Sequence, residues 1–470
     1  MAAESMPLSS AAVAHPPARA SAVGAWILFD WAAQPFFTLV TTFVFGPYVA
    51  TRLADSAVAG QAAWGYATAA AGLVIALLSP LLGAVADAAG ARKRWIFGFS
   101  ILLVGGTASL WWTAPGAPHA LTIALVGFAV ASVGVEFATV FNNAMLPGLV
   151  RPARLGRLSG DGWAAGYVSG LVCILIAFGF LIASPESGLT LLGTPPAFGL
   201  DPAAFEGVRL TGPFTAVWYA VFVLPMFLLV PDLPARPGLL RAVRTGFADL
   251  AAAVERLPRD RRLVGFLVAH MVYTDGLAAL FAFGGIYAAA RFEWGATEIG
   301  LFGILIMLAG AVGTFLGGRL DDRFGSRPII LAALLALIVA GVGLLSVGPG
   351  HVLFWVTVAP PVAGDGLFGS FAEKFYLALG VAIGLGMGPL QASSRSFVAQ
   401  LAPPGAVTRT FGLFALSGKV TSFLAPAAVA TVTAWTSSTR LGVATILAFF
   451  IVGAVLMVLL PREAAPEGRR

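Results

Sequence analysis

Apolar stretches close to the ~20 residues needed to cross a bilayer recur along the whole chain with short polar intervals between them. Twelve can be marked: 23–50, 62–86, 95–113, 119–146, 160–183, 213–231, 262–289, 298–320, 328–347, 375–401, 410–433 and 440–460. Two intervals between runs are long. The interval 184–212 is rich in Pro and Gly, and 348–374 carries a run from His351 to Val356 that is too short to span and is followed by Pro360-Pro361. The second is expected to lie at the membrane interface. A different pattern fills 231–261. Pro231, Pro234 and Pro237 end the sixth run, and then Leu240, Val243, Phe247, Leu250, Val254 and Leu257 recur at helical spacing with Arg241, Arg244, Asp249 and Glu255 between them. That is the pattern of an amphipathic helix lying on a membrane surface. The division that follows is a tail at 1–20, a six-helix bundle at 21–231, a linker at 232–261, a second bundle at 262–461 and a tail at 462–470. The first tail has no basic start followed by an apolar core, so it reads as a disordered tail and not as a signal peptide.

The polar intervals repeat. Gly83, Asp87, Gly90 and Arg92 have the same spacing as Gly318, Asp322, Gly325 and Arg327, and the two aspartates stand 235 positions apart in a chain of 470. Arg157-x-x-Gly160 and Arg409-x-x-Gly412 form a second matched pair, 252 positions apart, and Phe29-Asp30 matches Thr274-Asp275 in position. Matched turns at about half the chain length predict two homologous halves. Small residues recur every fourth position in Gly162, Gly166 and Gly170, and in Gly380, Gly384 and Gly388. Such stripes allow helices to pack closely.

Composition sharpens the class. The chain is 59% hydrophobic and 11% charged, with a mean hydropathy of +0.90, which is the profile of a polytopic membrane protein. The net charge of +6 invites a nucleic-acid reading, but its distribution opposes it. With the N-terminus inside, 21 of the 28 basic residues fall on the cytoplasmic side and five outside; Arg395 and Lys419 fall within apolar runs. This predicts both termini in the cytoplasm. The abundance of Ala, Gly and Arg suggests a bacterial source, hence the inner membrane. The single cysteine, Cys173, excludes an intrachain disulfide, and the four histidines are scattered.

Ionisable groups within the apolar runs each need a reason, because burying one at the bilayer centre costs at least ~2.5 kcal/mol on insertion scales. Asp30 is followed on its face by Gln34, just before a kink expected at Pro35. Glu136 shares a face with Asn143, and Asn142 is adjacent. Asp275 lies at the depth of Asp30, with His270 and Thr274 nearby. Gln391, Ser394 and Arg395 share a face of the tenth run, and Lys419 and Ser422 one of the eleventh. A structural pairing, for example of Asp275 with Arg395, competes with a functional role for each. Asp161, close to Arg157, reads as structural.

The paired turns resemble the loops between helices two and three and between helices eight and nine of the major facilitator superfamily. Four further segments are similar to the vacuole-effluxer-like branch: Phe29-Asp30-Trp31-Ala32-Ala33-Gln34, Phe141-Asn142-Asn143-Ala144-Met145-Leu146-Pro147, Gly160-Asp161-Gly162-Trp163-Ala164-Ala165-Gly166-Tyr167 and Gln391-Ala392-Ser393-Ser394-Arg395-Ser396. The resemblance implies an all-α fold of twelve transmembrane helices in two pseudo-symmetric halves. Helices one, four, seven and ten would line a central cavity, and the paired loops would latch the halves in one state. It also implies a secondary transporter of a small solute, with no cofactor. Ala33 stands where that branch often has Asn. Without a phosphate-binding Gly-rich motif, a proton gradient is the expected energy source, through Asp30, Glu136 or Asp275. Arg395 or Lys419 would attract a carboxylate or phosphate, which suits an amino acid or short peptide. Membrane lipid is the expected surrounding; neither nucleic acid nor an obligate protein partner is expected. No zinc-hydrolase or nucleophile-elbow motif points to an enzyme. A receptor or scaffold that keeps the fold without transporting is the alternative.

Overall fold

A computed structural model of the chain describes residues 18–184, 187–234, 238, 244–245, 260–294, 296–360 and 367–461. The long helices are α1 (Ala20–Pro35), α2 (Ala57–Ala89), α3 (Arg92–Ala108), α4 (Ala120–Met145), α5 (Leu155–Ile176), α6 (Glu206–Leu229), α7 (Arg261–Phe292), α8 (Ala296–Phe324), α9 (Ser326–Ser346), α10 (Phe371–Leu401), α11 (Val407–Ser417), α12 (Leu424–Thr436) and α13 (Thr439–Leu459). Among the described residues, 11 helical spans are long and apolar enough to cross a membrane. The broken pair α11–α12 supplies the remaining segment.

Three local departures from the apolar pattern have physical causes. Pro35 has no N–H to give, and beyond it the first segment continues as a wider, π-helical stretch, Phe36–Phe43. There the hydroxyls of Thr41 and Thr42 donate to the carbonyls of Phe36 and Phe37, at 3.1 and 2.8 Å. Helix α6 starts at Glu206, earlier than its apolar run, because Arg209 is accommodated inside the fold. The Arg209 guanidinium donates to Trp111 O at 3.2 Å, lies 4.9 Å from the Trp111 ring centroid and pairs with Glu206 at 3.4 Å. The eleventh segment, expected to be continuous over 410–433, is interrupted by turns between Ser417 and Leu424. Gly418 ends α11, and Lys419 sits in the break.

The interval 348–374 contains an antiparallel pair, β1 (His351–Val352) and β2 (Val356–Thr357), before Ser370 caps α10. Trp355 is 79% exposed there, consistent with a segment at an interface. The amphipathic helix expected over 231–261 and both tails fall almost entirely outside the described residues.

Large aromatic side chains fill the centre of the first half. Trp26, Phe29, Phe128, Phe137, Phe141 and Tyr219 are buried, and Trp64 stacks on Phe128 at 4.0 Å between centroids. Apolar side chains also cover the outside: Phe97 and Ile101 on α3, Leu224 and Leu228 on α6, Leu335 and Val339 on α9, and Val455 and Leu459 on α13 are exposed. An outer surface of this kind suits lipid. Since lipid is as apolar as these side chains, it is close packing and polar contacts that hold the helices together.

Candidate functional site

The two halves meet at the end of the molecule that carries the repeated turns. Helices α5 and α11 start there without a capping side chain of their own: Arg154 and Ala406 occupy the N-cap positions and make no side-chain cap bond. The missing acceptors come from the opposite half. The Asp87 carboxylate, at the end of α2, accepts from the backbone N–H groups of Thr408 (3.0 Å) and Arg409 (2.8 Å) at the start of α11. The Asp322 carboxylate, at the end of α8, accepts from Arg157 N–H (3.0 Å) at the start of α5. Carboxylates at helix N-termini satisfy orphan donors and face the positive end of the dipole.

The glycines of the turns make this approach possible. A Cβ on Gly83 would come within 2.7 Å of Thr408 O, and one on Gly318 within 2.7 Å of Gly156 O. Gly90 and Gly325 turn the chain at φ of 68° and 85°, where side chains are disfavoured. The arginines differ between the copies. Arg92 reaches Asp87 (3.4 Å), the Thr408 hydroxyl (2.9 Å) and Ala144 O (3.0 Å). Arg327 instead donates to Val458 O at 2.8 Å, within its own half.

Behind these caps lies a buried cluster on Arg395. From α10 its Nε donates to the Ser159 hydroxyl (2.8 Å), and its terminal nitrogens donate to Ser159 O (2.6 Å), Asp30 Oδ2 (2.8 Å) and Asn143 Oδ1 (3.2 Å). The indole rings of Trp26 and Trp163 lie 5.0 and 5.7 Å from the guanidinium carbon, within cation–π range. Gly162 leaves room for the pair, since a Cβ there would lie 2.8 Å from an Arg395 nitrogen. Arg395 therefore pairs with Asp30 and not with Asp275. The guanidinium reaches across to the first half, and on α7 it is Tyr273, not Asp275, that meets this stretch of α10, at Ser394.

A second ion pair joins Lys419, in the break after α11, to Glu136 on α4 at 2.6 Å. Its side chains are 35% and 19% exposed, against 4% and 14% for Arg395 and Asp30, so it is the more accessible of the two. A third pair crosses between the halves from Asp161 on α5 to Arg319 on α8 at 2.9 Å; Arg157, the neighbour expected for Asp161, is 3.9 Å away.

The remaining expected residues are dispersed around these pairs. Gln391 donates to the Tyr167 hydroxyl at 3.0 Å. Gln34 lies against the glycine stripe of α5, facing Gly166 and Gly170. Asn142 accepts from Trp26 Nε1 through its backbone carbonyl (2.8 Å), while its side-chain atoms are buried without a partner. His270 meets the Ser417 hydroxyl at 2.7 Å, and Ser394 meets Tyr273 at 2.6 Å. Sequence reasoning missed Ser159, Trp26, Trp163, Thr408 and Arg319. The tryptophans and Thr408 lie within or beside the segments it singled out, but nothing in a linear pattern marks a hydroxyl or a ring as the neighbour of a distant guanidinium.

The fold matches solved transporters over nearly its whole length. The fucose:proton symporter FucP in an outward conformation aligns with a TM-score of 0.68 at 15% identity, covering 94% of this chain and 98% of that one. An outward-facing bacterial homologue of the iron transporter ferroportin aligns with a TM-score of 0.62 at 15% identity, covering 93% and 98%. In sequence, the uncharacterized MFS-type transporter YxiO of Bacillus subtilis is 24% identical over 94% of this chain and 95% of its own length. Autophagy-related protein 22 of Cryptococcus neoformans is 30% identical over 67% of this chain, a match that spans 54% of the fungal protein. The family model described as vacuole effluxer Atg22 like matches residues 53–468. The chain is thus an integral membrane protein of the Atg22-like branch of the major facilitator superfamily, a family of transporters and not of enzymes, with the twelve-helix, two-half fold of that superfamily.

Proposed function

We propose that the protein moves a small carboxylate-bearing solute, an amino acid or short peptide, by alternating access coupled to protons. One observation carries the reading: all three central ion pairs cross between the halves, and each has its acid in the first half and its base in the second. Opening this end means separating every pair at once. Protonating Asp30 or Glu136 removes the attraction that opposes opening, and it frees Arg395 or Lys419 to meet a carboxylate. Lys419 is the first contact for substrate, being the more exposed cation at the break. Arg395, with its donors occupied, acts as the bolt behind it, and the carboxylates of Asp87 and Asp322 latch the rim.

In this reading the rigid halves are 21–231 and 262–461, joined by a surface-lying linker at 232–261. The protein sits in a bacterial inner membrane with both termini cytoplasmic and needs no protein partner. Reconstituted vesicles provide the test. Labelled amino acids and dipeptides should accumulate, or be expelled, only when a pH gradient is imposed, and a protonophore should abolish this. Transport that ignores the gradient removes the proton. Failure with every solute and gradient favours a receptor or scaffold built on the same fold.

A further inference from the structure

The second repeated turn carries an acid that neither the rim caps nor the ion pairs use. Asp321 precedes Asp322 and stands where the first turn has Ala86, at the same offset of 235. It is 2% exposed, near the end of α8. Its Oδ1 accepts from the Ser326 hydroxyl at the start of α9 (2.8 Å), and its Oδ2 from the Ser396 hydroxyl on α10 (2.7 Å). Gln400, one turn further along α10, donates to Ser326 Oγ at 3.1 Å. The turn is thus joined to α10 at the residue next to Arg395. Asp321 also touches the other half, since a Cβ on Gly156 would lie 2.5 Å from the Asp321 Cβ.

These contacts close a ring. Within one turn of α5, Gly156 meets Asp321, the Arg157 N–H donates to Asp322, and Ser159 accepts from Arg395 through both its hydroxyl and its carbonyl. The ring closes through Asp321 and Ser396, because Ser396 follows Arg395 directly. In the first half a base makes the equivalent tie. Arg92 donates to Ala144 O on α4, beside Asn143, which accepts from Arg395. Arg327, the arginine of the second turn, donates to Val458 O instead. We propose that Asp321 takes the place of Arg92 in the second half, as a positioning residue that fixes α10 and its Arg395 to the turn bearing Asp322. Hydroxyls from two helices on one buried carboxylate hold turn and helix together as a charge-assisted network. Loss of the Asp322 cap at the rim is then felt at the Arg395 pair behind it, through a contiguous chain of contacts. The inference rests on the reading of the rim as a latch.

The test is the rate at which maleimide modifies Ala392→Cys in the purified full chain. Ala392 is 1% exposed, and its carbonyl accepts from Ser159 across the interface, so a cysteine there should react only when the halves part. Asp322→Asn and Asp30→Asn should each raise the rate. Asp321→Asn keeps one acceptor oxygen and should raise it roughly tenfold, the effect of weakening hydrogen bonds to a charged group. The decisive comparison is a double-mutant cycle. With Asp321→Asn in place, Asp322→Asn should add less than about twofold, while Asp87→Asn, acting through the other turn, should keep its full effect. An acid that merely supports the fold would let the effects of Asp321→Asn and Asp322→Asn multiply, and that result overturns the tie. So does an unchanged rate in Asp321→Asn when Asp322→Asn and Asp30→Asn both react faster. A cysteine that no variant exposes overturns the latch reading and the tie with it. If Asp321→Asn does not fold, Ser396→Ala removes the bond to α10 alone and takes its place in the cycle.

Discussion

Arg395 donates to four acceptors on three helices of the opposite half, and only one of them, Asp30, carries charge. Removing that charge leaves a buried cation held by neutral oxygens. Asp30→Asn keeps an acceptor of the same shape, so the loss should fall short of the roughly 3–5 kcal/mol of stripping one partner from a buried pair. The expected outcome is a folded protein that melts several degrees lower. It should exchange substrate across vesicles at a substantial rate but lose uphill accumulation at least tenfold, because the amide mimics a carboxyl that never releases its proton. Retained accumulation would move the coupling role to Glu136. The cost of each intramembrane charge was legible in the sequence, since Asp30, Glu136, Asp275, Arg395 and Lys419 all stand out in apolar runs. Their pairing was not. Asp30 and Arg395 are 365 positions apart, and the choice between Asp30 and Asp275 depends on which helices face each other across the halves.

At the scale of elements, two helices have their caps in the other half, the arrangement on which the proposed latch rests. In the proposed cycle these caps on α5 and α11 form only while the halves are closed at this end, so their energy would favour that state without affecting the fold of either half. Asp87→Asn should therefore leave expression and melting close to normal. It should weaken hydrogen bonds of a charged group, worth about 1.5–3 kcal/mol each, slow transport and raise the reactivity of a cysteine at buried Ser159 toward cytoplasmic reagents. Gly83→Val should act the same way by steric means, since its first added carbon already meets the backbone at Thr408. Unchanged transport and unchanged Ser159 reactivity in both variants would refute a latch. The repeat of the two turns could be read from spacing alone. That each turn caps the partner half could be inferred only in part: the starts of α5 and α11 lack a Ser, Thr, Asp or Asn at the N-cap, a gap visible once the boundaries are known. The break after Ser417 was hidden because the apolar stretches on both sides of 418–423 together have the length of a single span.

At the scale of the whole molecule, charge is sorted in two ways. Across the interface between halves, acids of the first half face bases of the second, and attraction between them joins the halves at this end. Along the membrane normal, basic residues crowd one side, 21 against five in the assignment with the N-terminus inside. The repeated turns and the closed rim lie at one end, and the sequence-based assignment puts the basic excess on that same side. Cytoplasmic loops retain Lys and Arg because moving them across the membrane during insertion is costly. The native Cys173 is buried at 0% exposure, so single cysteines can be introduced without removing it. Positions 187 and 437 are exposed at the opposite end from 154, which is exposed beside the rim. In intact cells an impermeant maleimide should label Ser187→Cys and Ser437→Cys. Arg154→Cys should react only after the membrane is opened. The reverse pattern would place the latch outside and invert the direction in which the proton gradient drives the cycle.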